Sequence, residues 1–196
     1  MQKLLFSLIV LVGLSAFTVA SQPGDGYFKI NTATSSVKWN AKKVTGQHHG
    51  SITVKDGTLQ MQKNKLVGGS FTIDMASIKV LDLQGEMAGK LEGHLKSDDF
   101  FNAATFPSAT LIILEAKETS KENYNIKANL TIRGITKAVE FPAVVKTDGK
   151  KYNASANITV DRSQFDVKYG SGSFYDNLGD KTIYDNFDLA VFLVAE

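Results

Sequence analysis

Apolar and polar residues alternate with period two along most of this chain. In Val37-Lys38-Trp39-Asn40-Ala41-Lys42 the odd positions are apolar and the even ones polar. Successive side chains of a strand point to opposite faces, so this is a strand with one buried face and Trp39 turned inward. Ile52 and Val54 continue the pattern. Asp56-Gly57 then predicts a hairpin turn, with Leu59 and Met61 on the return strand. Val67, Phe71, Ile73 and Met75 share one parity, and Gly68-Gly69 marks a bulge or sharp bend. In the second half Ile126, Ala128, Leu130 and Ile132 alternate with polar neighbours, as do Val139 and Phe141. Tyr152, Ala154, Ala156, Ile158 and Val160 do the same, and Phe187, Leu189, Val191 and Leu193 share a face near the end. Many one-faced strands at hairpin spacing predict an all-β antiparallel sandwich or closed barrel. Small inward residues such as Ala128, Ala154 and Ala156 leave room in a barrel interior.

One stretch departs from period two. In residues 85–96, Met87, Leu91 and Leu95 recur every four positions, and Glu86 and Lys90 form an i,i+4 pair. That spacing predicts a short amphipathic helix, weakened by Gly85, Gly89 and Gly93. Ser97 reads as an N-cap, with Asp98 and Asp99 suited to the positive end of a second helical turn. Phe100, Phe101 and Phe106 follow. A helical insertion over about 85–101 with three aromatics has two readings: a lid or plug over one barrel end, or simple closure of the core.

The N-terminus has a different character. Lys3 is the sole charge before Asp25, residues 4–14 are almost wholly apolar, and small residues end at Ala20. This is the pattern of a secretory signal over residues 1–20, too short in its apolar part for a bilayer span. Residues 21–26 read as a flexible lead-in to one domain at 27–195. The expectation is an exported chain, periplasmic or secreted, with no stable membrane anchor after cleavage. There is no Cys, so disulfides, thiolate metal sites and a Cys nucleophile are excluded. With 22 basic and 20 acidic residues and no basic stripe, nucleic-acid binding is not expected.

Motifs for catalysis are missing: there is no phosphate loop, no G-x-S-x-G elbow and no H-E-x-x-H. Gly170-Ser171-Gly172-Ser173 lacks the spacing of a nucleotide loop and reads as a turn. His48 and His49 are neighbours on a strand and face opposite ways, so they do not chelate one ion together. His94 lies near Asp98 and Asp99 in sequence, an arrangement open to general-base pairing or to local hydrogen bonding. The sequons at Asn129, Asn153 and Asn157 fall on strands and read as chance. Arg133 and Arg162 are the only arginines. At a barrel mouth each could grip an anionic head group; the favoured alternative is a structural ion pair with a carboxylate such as Asp161.

Several segments resemble the YceI-like family in order. They are His94-Leu95-Lys96-Ser97-Asp98-Asp99-Phe100-Phe101 with Phe106-Pro107; Leu130-Thr131-Ile132-Arg133-Gly134-Ile135-Thr136-Lys137; Phe141-Pro142; and Asp161-Arg162-Ser163-Gln164-Phe165. The Val37-Trp39 strand and Gly179-Asp180 also fit. The resemblance implies an extended lipocalin-like antiparallel barrel, exported, holding a polyisoprenoid or related amphiphile such as a prenyl quinone, with no enzymatic activity, no cofactor and no metal. The expected apolar pore residues are Trp39, Phe71, Ile73, Leu91, Leu95, Phe100, Phe101, Phe106, Leu130, Ile132, Phe141, Ile158 and Phe165. Expected head-group contacts are Arg133, Arg162 and His94. Residues 172–185 depart from the family pattern at one mouth. Two other functions stay open: a secreted enzyme on a hydrophobic substrate using His94, and a filled barrel acting as a stress or interaction module. The sequence leaves open whether the chain forms a homodimer.

Overall fold

The computed structural model describes residues 24–196; the expected signal segment, residues 1–20, lies outside them. The elements are β1 (Gly26–Lys29), β2 (Ser36–Lys43), β3 (Gly46–Gln62), β4 (Lys65–Val80), α1 (Gly85–Lys96), β5 (Ser108–Ser120), β6 (Asn123–Ile132), β7 (Ile135–Thr147), β8 (Tyr152–Asp161) and β9 (Ile183–Ala195). Eight of the strands close a ring in the order β3-β2-β9-β8-β7-β6-β5-β4, and β4 pairs back to β3. Every neighbouring pair is antiparallel. The fold is therefore a closed antiparallel barrel with one short helix, the one of the two architectures open to the alternation that the resemblance implies.

Closure depends on β3. Its first half pairs with β2 over residues 46–52, and its second half pairs with β1 over 58–61. Register shifts between Ser51 and Thr53 and between Val54 and Asp56 bend it along β4. Extra residues of this kind curve a strand and increase its twist. Asp56-Gly57 is thus no hairpin: the strand runs straight through it. Glycine stands there because a Cβ would sit 2.8 Å from Phe71 Cδ1 and 3.0 Å from the Ser70 carbonyl. The hairpin falls instead at Lys63-Asn64, both left-handed with φ of 51° and 59°. Two positive φ values in a two-residue loop match the twist of the flanking strands.

A second departure follows from a bulge. Gly68 pairs with Gln60 while Leu66 pairs with Met61, which leaves Val67 unpaired. The expected bend is there, but it reverses the parity on its N-terminal side. Leu66 is buried and Val67 faces solvent, so Val67 does not share the inward face of Phe71.

The two barrel ends differ. At the hairpin end, Tyr124 and Tyr152 are buried, at 4% exposure each. The Leu66 N–H donates to the Tyr124 hydroxyl, and the Tyr152 hydroxyl donates to Asn64 Oδ1 at 3.0 Å. Phe28 meets Tyr152 edge-on at 4.6 Å. Lys29 and Glu196 exchange two backbone bonds of 3.0 Å, drawing β1 across this end. The other end carries the β2–β3 turn, α1 and the segment after it, the Arg133-Gly134 turn, and the 162–182 connection. Packing of α1 against β4 is partly polar: Glu92 accepts from the Val80 N–H at 3.0 Å and from Lys79 Nζ at 3.2 Å. No residue of α1 is fully buried, and Met87 is 63% exposed. Ser97 spends its N–H and hydroxyl on the His94 carbonyl, capping the end of α1, while its own carbonyl accepts from the Phe100 N–H at 3.1 Å and opens a turn, so the expected side-chain N-cap is absent although the turn is there.

Candidate functional site: an apolar cavity

The inward faces of the strands do not meet at the centre. They surround a cavity of about 200 Å³. Trp39 of β2, Phe71 and Ile73 of β4, Leu130 and Ile132 of β6, Phe141 of β7 and Ile158 of β8 form its wall with Leu95, Phe100 and Phe101 from α1 and the turn beyond. Ala109, Ala143, Ala154 and Ala156 also line it. An alanine facing the axis leaves the volume that a leucine would fill, and in a barrel of about eight strands that difference decides between a packed core and a pocket.

The remaining expected pore residues lie elsewhere. Leu91 is half-buried on α1, off the wall. Phe106 packs beneath the Arg133-Gly134 turn, where a Cβ on Gly134 would meet its ring at 3.2 Å. Phe165, only 2% exposed, is buried in the core beside the cavity. Conversely, Phe187, Leu189, Val191 and Leu193 line the wall as their shared parity allows. Ile183 and Tyr184 line it without any periodic signal. Between Ala41 and Lys43 of β2 stands one residue, while β9 carries residues 184–186 between the matching partners. This bulge places Tyr184 both on the cavity wall and half in solvent.

Local backbone geometry fixes the indole. Gly50 pairs with Trp39, and a Cβ there would lie 2.5 Å from Trp39 Cζ2 and 1.8 Å from the Lys79 carbonyl oxygen. The Trp39 Nε1–H donates to the Ser51 carbonyl at 3.3 Å. The ring thus presents its apolar surface to the cavity with its polar atom satisfied.

Arg162 is the only cationic side chain on the wall among the described residues. It is 2% exposed. Its Nη1 donates to the Val167 carbonyl at 2.8 Å, Nη2 to Ile183 at 2.9 Å and Nε to Tyr184 at 3.3 Å. Asp185 Oδ1 lies 3.4 Å from Nη2, an ion contact without hydrogen-bond geometry. The guanidinium also sits 5.3 Å from the centre of the Phe100 ring. Burial pulls its pKa down, against the attraction of Asp185 and Asp161. Arg162 therefore staples both ends of the 166–183 connection, and its donors are directed at the protein. Its ion partner is Asp185; Asp161 instead accepts from Ser163 Oγ at 2.6 Å and from Gln164 at 3.2 Å.

Arg133 has a comparable task. Left-handed at φ 50°, it donates through Nη1 to the carbonyls of Asp98 and Phe100. It ties the segment after α1 to the barrel rim. His94 forms no hydrogen bond or ion pair with Asp98 or Asp99: its ring meets Tyr169 at 4.4 Å and Phe100 at 5.7 Å, and Nε2 is buried without a partner. The general-base pair open in the sequence is not assembled. His48 Nδ1 lies 2.7 Å from Asp82 Oδ2, which fastens the β4–α1 connection to β3.

A closed eight-stranded antiparallel barrel around an apolar cavity, with one short helix at one end, defines a lipocalin-like fold. The YceI-like domain matches residues 28–195, and the chain belongs to that family. A UPF0312 protein of Pseudomonas fluorescens is 27% identical over 126 residues, covering 61% of this chain and 64% of the relative. The chain thus spans just under two thirds of the length of the curated relatives it matches. Among solved structures, Burkholderia cenocepacia BcnA superposes with a TM-score of 0.69 at 24% identity, over 85% of this chain and 99% of that one. A polyisoprenoid binding domain from Saccharophagus degradans, implicated in plant cell wall breakdown, gives 0.64 at 12% identity, over 87% and 97%.

Proposed function

We propose that this chain is an exported binding protein that holds a long apolar lipid, a polyisoprenoid or prenyl-quinone-like amphiphile, in its barrel for storage, transport or stress protection, and that it is not an enzyme. The observation that carries this reading is the cavity itself: it is walled by the inward faces of the strands, reaches both Leu193 and Tyr184, and is lined almost wholly by hydrocarbon. A filled barrel would have no such space. Family membership and the likeness to a polyisoprenoid binding domain support the same ligand class. The apolar N-terminal segment supports export.

The cavity also sets a scale. One water-sized group needs on the order of 10–15 Å³ measured in this way, so about 200 Å³ holds roughly 13–20 such groups. That corresponds to about three to four five-carbon prenyl units. Each buried CH₂ contributes about 0.8 kcal/mol, so even part of this length gives useful affinity without a hydrogen bond. Arg133 and Arg162 are engaged with backbone carbonyls, so the apolar tail, not an anionic head, dominates recognition. Organic extracts of the purified chain, analysed by mass spectrometry, should contain a prenyl lipid or show uptake after incubation with one. A chain that neither carries nor takes up prenyl lipid sinks the proposal.

A further inference from the structure

The large exposed apolar side chains are not spread evenly. Val44, Leu81, Met87, Tyr169, Phe174, Tyr175 and Tyr184 are all 43% or more exposed. All seven lie on segments at the helix end, because in an antiparallel barrel the β2–β3, β4–β5 and β8–β9 connections share one end. Toward the hairpin end, by contrast, the large apolar side chains exposed among the described residues are fewer: Tyr27, Val67 and Phe192.

These residues form a stitched rim. The Leu81 N–H donates to the His49 carbonyl at 2.9 Å, and the Val44 N–H to Thr182 at 3.0 Å. The Ile183 N–H donates to Gly170 at 2.8 Å, and Ser173 Oγ donates to Asp185 at 2.6 Å. Tyr169 closes onto α1 through the ring of His94. The rim is also continuous with the cavity: Tyr184 belongs to both, and an aromatic chain runs from Tyr169 through Phe100 and Phe101 to Phe187 on the wall.

Charge selects the partner. The segments that make this end, residues 42–49, 81–106, 133–134 and 162–186, carry eight Lys or Arg against nine Asp or Glu. An anionic membrane or a nucleic acid would call for a basic excess. Exposed Tyr and Phe around a near-neutral rim suit instead the interface of an uncharged or zwitterionic bilayer, where aromatic rings settle at head-group level.

We propose that the mouth rim is a membrane-docking surface that seats on zwitterionic phospholipid, so that the cavity opens toward the bilayer. This goes beyond the carrier reading and can fail separately from it. The test is flotation of the purified chain with phosphatidylcholine vesicles, with and without phosphatidylglycerol. Two double variants accompany the parent: Phe174→Ser with Tyr175→Ser on the rim, and Ile112→Ser with Leu114→Ser on the outer barrel wall. The parent should float with phosphatidylcholine vesicles and gain nothing from phosphatidylglycerol at physiological salt. The rim variant should lose about tenfold or more in partitioning, since two half-exposed aromatics leave the interface, while the wall variant stays at the parent value. Prenyl-alcohol binding measured without vesicles should be intact in the rim variant; a parent that floats but takes up no prenyl lipid defeats the carrier reading alone. Docking is overturned by no flotation, by flotation that requires the anionic lipid, or by equal loss in the wall variant. It is equally overturned if the parent is a dimer that the rim substitutions dissociate, since a second copy would then cover the rim.

Discussion

Replacing Ala154 with Phe should occlude the cavity and abolish most lipid binding while leaving the barrel folded. Ala154 sits on β8 with its side chain on the cavity wall, 8% exposed. The substitution adds about six carbon atoms to a space that takes roughly 13–20 water-sized groups. A ligand that surrenders about six buried carbons at about 0.8 kcal/mol each forfeits roughly 5 kcal/mol of transfer free energy. Sliding the tail toward the mouth recovers part of this, so the expected loss of affinity is about 100- to 1,000-fold. The assay is isothermal titration with a prenyl alcohol of about three to four units, set beside thermal unfolding of the ligand-free chain. Asn157→Phe, on the exposed outer face of the same strand and off the cavity wall, is the control. Cavity filling in a relaxed site keeps the unfolding temperature level or raises it. Prenyl affinity in Ala154→Phe equal to that of the parent, with folding intact, would refute the placement of the ligand.

Arg162→Met should destabilise the chain by about 3–5 kcal/mol in urea titration, because it strands the carbonyls of Val167 and Ile183 and leaves Asp185 without its cation; a loss below ~1 kcal/mol contradicts its role as a staple. For Asp82, desolvation pushes the pKa up, but the His49 N–H and the His48 ring outweigh it and the net shift is downward. For Asp161, desolvation is likewise overcome, by Ser163 and Gln164. Groups depressed in the folded state contribute stability above their unfolded value near ~4 and lose it as pH falls through the lowered folded value. Urea midpoints should therefore fall with acid below about pH 4, and Asp82→Asn should flatten that limb; an unchanged limb contradicts the assignment. Gly50→Ala should cost about 1–3 kcal/mol and shift Trp39 emission, since the new methyl meets both the Lys79 carbonyl and the indole; unaltered stability would show that the indole is free to move.

The cavity wall was legible in the chain because period two survives wherever a strand is regular. Trp39, Leu130, Phe141 and Ile158 follow from parity alone. Where strands bulge, the same rule fails. Val67 moves outside because one unpaired residue inverts the register, and Tyr184 reaches the wall only because three residues of β9 oppose one of β2. Asp56-Gly57 carries a strong local turn signal, yet the need for a glycine against Phe71 comes from a partner strand that local sequence does not display. Phe106 and Phe165 lie just outside regular strands, where alternation says nothing about direction. Arg162 stands next to Asp161 in sequence, but its partners come from the far end of a long connection. The family resemblance chose the barrel over the sandwich; it could not describe the 172–185 segment, which departs from the pattern.

Trp39 is the only tryptophan in the chain, and it lies on the cavity wall. Its emission therefore responds to what fills the cavity. Titration with a prenyl alcohol of about three to four units should give a saturable change in Trp39 fluorescence, with one ligand per chain at the endpoint. A spectrum that does not respond, or that drifts without saturating, would contradict an apolar ligand held inside the barrel.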